Sequence, residues 1–186
     1  LAAAGRRGAT GVAVVGDHGE ALGEHGELTH GLLLYEPTVA VPWLLAAPAG
    51  ITPGSVVRTP VGLADVAPTL AGLVGQPWTG VRLDGRDLSA ALAAAREPEP
   101  ADLYIETDYP AIFGWSPLAA LRRGDRKWIA APRPELYDLA ADPGEARNLA
   151  ADERRAGAEL DRALAAVRAA ARVAAPAAGD EETRAR

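Results

Sequence analysis

The sequence has no cysteine, no methionine and a single phenylalanine among 186 residues. Without cysteine there are no disulfides and no thiolate ligands, so any metal chemistry must rest on carboxylates and imidazoles. Excess positive charge is also lacking: 19 Lys and Arg against 25 Asp and Glu leave a net charge of −6. Binding to polyanions needs clustered cations to neutralise phosphates, so nucleic acid is excluded as an expected partner. No apolar run reaches the roughly 18–20 residues of a membrane span, and no signal peptide is visible. The first residue is leucine, and Leu1-Ala-Ala-Ala-Gly-Arg-Arg-Gly8 reads like the frayed end of a helix. The expectation is therefore the C-terminal part of a longer protein, with any export signal upstream.

With 48% hydrophobic residues the chain is globular, long enough for one core or a share of a larger one. Gly11-Val-Ala-Val-Val15 suits a strand buried on both faces of a parallel sheet. A glycine-rich loop runs from Gly16 to Gly31, and Val39 to Leu45 reads as a second strand. Val61 to Val74 reads as a helix with Leu63, Val66, Leu70, Leu73 and Val74 on one stripe, Pro68 kinking or restarting it. Leu83-Asp-Gly85 precedes a short helix through Leu88 and Leu92.

Around Ala95 to Pro100 the composition turns to Arg, Glu and Pro, marking a linker. Beyond it, Leu103–Thr107, Leu118–Arg122, Lys127–Ala130 and Glu135–Asp138 are short strands, with a hairpin turn at Arg123-Gly124-Asp125. Asp142-Pro-Gly-Glu145 is a turn. Asp152 to Val173 is an amphipathic helix with Leu160, Leu164 and Val167 on its apolar side, and 174–186 is expected to be a disordered tail. The fold class is α/β: residues 1–95 belong to an α/β sandwich, and residues 101–173 form a small α+β subdomain with an antiparallel sheet and closing helix.

The chemistry concentrates at the end of the first strand. All three histidines, His18, His25 and His30, fall in the one loop, together with Asp17, Glu20 and Glu24. In open α/β sheets ligands sit outside the carboxyl ends of the strands, which is where Asp17 and His18 stand. A carboxylate beside a neutral imidazole suits a divalent ion such as Mg²⁺, Mn²⁺, Zn²⁺ or Ca²⁺, and Gly16 and Gly19 are expected to let the backbone bend so that the two side chains converge. His30 reads either as a half-exposed loop histidine or as a cation or general acid facing an anionic group. His25 is read as structural, bonding loop backbone, while Glu20 and Glu24 are either acceptors behind the site or simply solvated. Trp43, Trp128 and Tyr137 are assigned to core or sheet packing. Trp115 lies in turn-like Phe113-Gly-Trp-Ser-Pro117, is expected to be exposed, and is a candidate substrate contact.

Read together, these segments resemble the C-terminal half of a sulfatase, in the alkaline phosphatase superfamily. Asp17-His-Gly-Glu-Ala-Leu-Gly-Glu-His-Gly26 resembles the family's second metal motif, and Tyr35-Glu36 through Val41-Pro42 the segment that follows it. Asp65-Val-Ala-Pro-Thr-Leu70, Leu83-Asp-Gly-Arg86 and Glu135 through Leu149 resemble three further landmarks in the same order. The resemblance implies cleavage of sulfate esters by a formylglycine nucleophile beside one divalent cation, usually Ca²⁺, with Mg²⁺ or Mn²⁺ as alternatives. It makes Asp17 and His18 metal ligands and places His30 where relatives carry a Lys or His that contacts the sulfate or the leaving oxygen. The implied substrate is a small-molecule or carbohydrate sulfate ester.

The family's Cys/Ser-x-Pro-x-Arg nucleophile motif and first pair of metal-binding aspartates do not occur in this sequence. The chain alone is therefore expected to be inactive. A phosphodiesterase, phosphonate hydrolase or phosphoglycerol transferase of the same superfamily is the alternative, and a catalytically dead scaffold is a reading of another class. The Ala- and Arg-rich composition suggests a GC-rich bacterial source, and the family a periplasmic or extracellular location.

Overall fold

The computed structural model describes residue 5, residues 7–80 and residues 82–173. The expected tail over 174–186 and the first four residues of the expected helix end lie outside the described residues. Strand β1 (Val12–Val15) pairs antiparallel with β2 (Trp43–Ala46), Val15 opposite Trp43 and Val12 opposite Ala46. This corrects the expectation of a parallel strand buried on both faces: Val12, Val14 and Val15 are exposed. No described element covers those faces, so the apolar composition of β1 exceeds what its surroundings bury. β2 also starts later than expected, because Glu36–Val39 form a one-turn helix, α1, with Pro37 in its first turn, where a missing N–H costs nothing.

A 3₁₀ turn at Leu63–Asp65 leads into α2 (Val66–Leu73), and α3 spans Ser89–Ala93. The expected apolar stripe is only partly buried: Leu63 and Val74 are exposed, and the residues of this helix that are buried are Pro68 and Thr69. Pro68 sits in the first turn of α2, so the helix restarts ahead of it rather than kinking. Two sequence landmarks meet here. The buried Asp65 carboxylate accepts from the backbone N–H of Arg86 at 2.7 Å and pairs with its guanidinium at 2.9 Å, while Thr69 Oγ1 accepts from Leu88 N. Gly85 permits this contact, since a Cβ there would lie 1.8 Å from the Ala64 carbonyl oxygen. Burial opposes ionisation of Asp65, but the Arg86 donors outweigh it and hold the carboxyl below the usual range. Both landmarks are structural. The segment 95–100, read from sequence as a linker, has no regular structure, and the Glu97 carboxylate within it accepts from the backbone N–H groups of Arg58 and Thr59.

The second sheet is antiparallel in the order β3 (Asp102–Thr107), β4 (Leu118–Arg123), β5 (Arg126–Ala130), β6 (Glu135–Asp138). Gly124, at φ 58°, opens the two-residue turn between β4 and β5, a conformation that glycine adopts without strain. Alternation along the strands sends Ala119, Leu121, Trp128 and Leu136 to one face, where they pack on Leu160 and Leu164 of α4 (Arg154–Val173). Ala120, Ile129 and Tyr137 point to the other face, against Leu34 and, at its edge, Tyr35 and Val39. This second face carries the loop that holds the three histidines.

Candidate active site

Beyond Val15 the chain turns so that Asp17 and His18 leave the strand end together. The His18 backbone N–H donates to Asp17 Oδ1 at 3.1 Å, and His18 Nδ1 lies 2.8 Å from the Gly19 carbonyl oxygen. A carbonyl only accepts, so Nδ1 carries the hydrogen and Nε2 presents its lone pair. That Nε2 stands 3.9 Å from Asp17 Oδ1. Two ligands at about 2.0–2.6 Å from one cation span such a separation, so the pair fits a divalent ion with both donors exposed to receive it. The flanking glycines serve this turn through close packing. Neither Gly16 nor Gly19 adopts a left-handed conformation; both admit close neighbours. A Cβ on Gly19 would stand 2.1 Å from the Pro37 carbonyl oxygen, and Gly19 N–H donates to the Thr38 carbonyl at 2.9 Å. Thr38 is itself held by its hydroxyl, which donates to the carbonyls of Leu33 and Tyr35.

The loop then folds back on itself. Ala21 N–H donates to the Thr29 carbonyl and Gly23 N–H to the Glu27 carbonyl, while the buried Glu27 carboxylate accepts from Leu32 and Leu33. Glu24 accepts from the Leu22 N–H, which holds its carboxyl below the usual range. These bonds return His30 to His18: their rings stack with centroids 3.8 Å apart and planes 22° from parallel. His30 Nδ1 lies 2.9 Å from Glu20 Oε2. His18, Glu20 and His30 each offer a donor atom within 4.8 Å of the others, which on distance alone would suit one metal ion. Ring geometry argues against it. An imidazole nitrogen donates in its own plane, and two near-parallel stacked rings cannot aim both lone pairs at one ion about 2 Å away. The two rings thus have separate hydrogen-bond partners, His18 the Gly19 carbonyl and His30 the Glu20 carboxylate.

His25 lies apart from this stacked pair. Its ring stacks on Tyr35 at 3.6 Å and its Nε2 lies 3.1 Å from the Gly144 carbonyl oxygen, so it bonds backbone as expected, but backbone of the distant β6–α4 connection. Tyr35 in turn donates its hydroxyl to Glu135 at 2.8 Å; burial first, then this carboxylate, pushes the phenol up to about 12. Below them lies a buried ion cluster that sequence reasoning missed. Glu36 contacts Lys127 at 3.0 Å and Arg122 at 2.9 Å, and Lys127 pairs with Glu145 at 2.8 Å, with the Lys127 and Glu145 side chains wholly inaccessible. The Glu36 N–H also donates to Glu145. The pattern of Lys127 between Arg126 and Trp128 in a strand gave no sign of it beyond alternation, which puts Lys127 on the face of Ile129.

On the other side of His30, a Cβ on Gly31 would stand 3.5 Å from the ring of Tyr109, and Thr107 Oγ1 donates to the Gly31 carbonyl. Tyr109, Phe113 and Trp115 follow one another with 5.6 Å between successive ring centroids. Trp115 is 61% exposed, in line with its reading as a turn residue, whereas Trp128 and Tyr137 are core as expected and Trp43 is half-buried.

The sulfatase family model matches residues 1–76, the stretch that holds Asp17, His18 and His30. The chain belongs to the sulfatase family. It is 38% identical over 146 residues to a choline-sulfatase of Rhizobium meliloti (strain 1021), an alignment covering 74% of this chain and 26% of that protein. It is 31% identical over 160 residues to arylsulfatase K of Danio rerio, covering 81% of this chain and 30% of that one. The chain thus spans between a quarter and a third of the length of these relatives. Among solved structures, one described in complex with its substrate, D-glucosamine-2-N,6-O-disulfate, superposes with a TM-score of 0.80 at 25% identity, over 97% of this chain and 38% of that one. The phosphonate monoester hydrolase of Agrobacterium radiobacter superposes at 0.72 with 28% identity, over 91% and 37%. The chain therefore shares the α/β fold of these structures over the part of each that it covers.

Proposed function

We propose that this sulfatase chain supplies one wall of the active site of a sulfuric ester hydrolase, with Asp17 and His18 as ligands of a divalent cation, Ca²⁺ by family expectation, and His30 as the group facing the leaving oxygen. The observation that carries this is the division of labour between the stacked histidines: Nε2 of His18 is freed toward Asp17, while His30 is turned to Glu20. When bound, the cation supplies positive charge that stabilises the transferring group. His18 and Asp17 fix the donor set through the Gly19 carbonyl and the His18 N–H. His30, as an imidazolium, keeps its Nδ1–H on Glu20 and gives the Nε2 proton to the departing alkoxide as the sulfur–oxygen bond breaks, ending as the neutral Nδ1–H tautomer. The rest of the site, including the formylglycine nucleophile, lies on sequence outside this chain, as do the surfaces that would cover β1 and β2. Residues 1–95 act as part of the catalytic domain and residues 101–173 as a subdomain, whose exposed Trp115 contacts the alcohol portion of the substrate. A sulfated carbohydrate is the favoured ester, by likeness to the structure solved with a disulfated glucosamine.

The phosphonate monoester hydrolase gives a second reading its support, since it shares the fold at higher identity than the sugar-sulfate complex. Parallel assays decide between them. The full-length enzyme is expected to hydrolyse an aryl sulfate faster than an aryl phosphonate monoester, and the 186-residue chain alone neither. Faster phosphonate hydrolysis would move the assignment to phosphoryl chemistry, and turnover by the isolated chain would remove the need for residues outside it.

A further inference from the structure

Glu20 stands outside the donor pair of Asp17 and His18, and the sequence leaves it between an acceptor behind the site and a solvated carboxylate. Its carboxylate is nevertheless aimed: Oε2 lies 2.9 Å from His30 Nδ1, with both side chains about half exposed, where a solvated glutamate would be free to point elsewhere. The His30 ring has no other side-chain hydrogen bond among the described residues; its opposite constraint is the stacked His18 ring at 3.8 Å. The backbone supports the same placement, because the His30 N–H donates to Thr29 Oγ1 and the Gly31 carbonyl accepts from the Thr107 hydroxyl.

We propose that Glu20 is the positioning residue of His30. A carboxylate only accepts, so the contact requires hydrogen on Nδ1 and leaves Nε2 as the nitrogen directed outward. This selects the tautomer with the hydrogen on Nδ1 over the Nε2–H form that free histidine favours in water. It also fixes ring rotation, which a lone stacking contact leaves open. The inference rests on the reading of His30 as the residue that faces the leaving oxygen, and it adds which nitrogen acts and what holds it there. Behind metal-ligating histidines such orienting carboxylates are worth about 10–100-fold in activity or affinity, and an effect of the same order is expected here, where the imidazole faces the leaving oxygen instead of a metal.

The test has two arms. In the 186-residue chain labelled with ¹⁵N-histidine, ring nitrogen shifts report the tautomer of each of the three histidines, assigned by single substitutions. Recorded where the histidine rings are neutral, the state in which His30 is left after giving up its Nε2 proton, His30 is expected as the Nδ1–H form, Glu20→Ala is expected to shift it toward Nε2–H, and Glu20→Gln, whose amide oxygen still accepts, is expected to retain it. In the full-length enzyme Glu20→Ala is expected to lower kcat about 10–100-fold at similar KM, with Glu20→Gln recovering most of the loss. An unchanged tautomer in Glu20→Ala overturns the proposal, as does a tautomer switch with unaltered kcat. An unsubstituted enzyme that does not hydrolyse sulfate esters overturns the parent reading alone, and the tautomer series still supports or overturns the pairing.

Discussion

Lys127 Nζ lies 2.8 Å from Glu145 Oε1, and neither side chain is exposed to solvent. Lys127 is the only lysine of the sequence. Its ammonium also meets Glu36 in α1, so it ties the segment that follows the histidine loop to the second sheet. Glu145 adopts φ 52°, a left-handed conformation uncommon for a non-glycine residue, to bring its carboxylate inward.

Removing one partner of such a cluster should cost more than removing both. Lys127→Ala leaves the buried Glu145 carboxylate without its cation and Glu36 with Arg122 alone, and is expected to destabilise the fold by about 3–5 kcal/mol, whereas Lys127→Met combined with Glu145→Gln should cost markedly less. Urea unfolding of the three proteins checks this. A loss under about 1 kcal/mol for Lys127→Ala would show that the cluster does not hold the loop to the sheet.

Gly19 is the second mechanical point, beside a proposed metal ligand. Because a Cβ would stand 2.1 Å from the Pro37 carbonyl oxygen, Gly19→Ala must push the His18–Gly19 backbone off α1. The expected result is a loss of about 1–3 kcal/mol together with weakened cation binding. Thermal unfolding and calorimetric titration with Ca²⁺ measure the two effects, and a variant with unchanged Tm would contradict the close approach.

Alkaline pH should act through Tyr35. Burial, then the Glu135 carboxylate, raises its phenol from the ordinary value near 10 to about 12 in the folded state. A group whose folded pKa is raised contributes stability that is complete below about pH 10 and lost as pH rises through about 12. Tyr104, raised to about 12 by burial and Glu106, adds to the same window. Tyrosinate absorbance and circular dichroism recorded from pH 9 to pH 12.5 should show ionisation of these residues coinciding with loss of structure. Ionisation near pH 10 with the fold intact would contradict it.

What the sequence revealed follows from what its signals depend on. The second sheet and α4 were legible because alternation and helical periodicity report burial supplied within the same stretch: Leu121, Leu136, Leu160 and Leu164 pack on one another. β1 misled for the converse reason, since its apolar run reports surfaces that no described residue provides. At the site, Asp17, His18 and His30 stood out by residue type and placement. The partners did not: Glu20 meets His30 across ten positions, and Glu36 meets Lys127 across ninety-one, separations that carry no periodic signature. That Gly19 is needed for its close approach to the Pro37 carbonyl was not legible, because the neighbour lies eighteen positions away.

The most direct test of the account is the contrast between Asp17→Ala and His30→Ala in the full-length enzyme, each assayed for bound metal and for turnover of an aryl sulfate. Asp17→Ala is expected to lose metal and activity together, and His30→Ala to keep its metal while turnover falls by about 10²–10⁴-fold, the range for loss of a general acid. Equal metal loss in the two variants would contradict the separate roles of the stacked histidines, and full metal retention in Asp17→Ala would contradict the cation site itself.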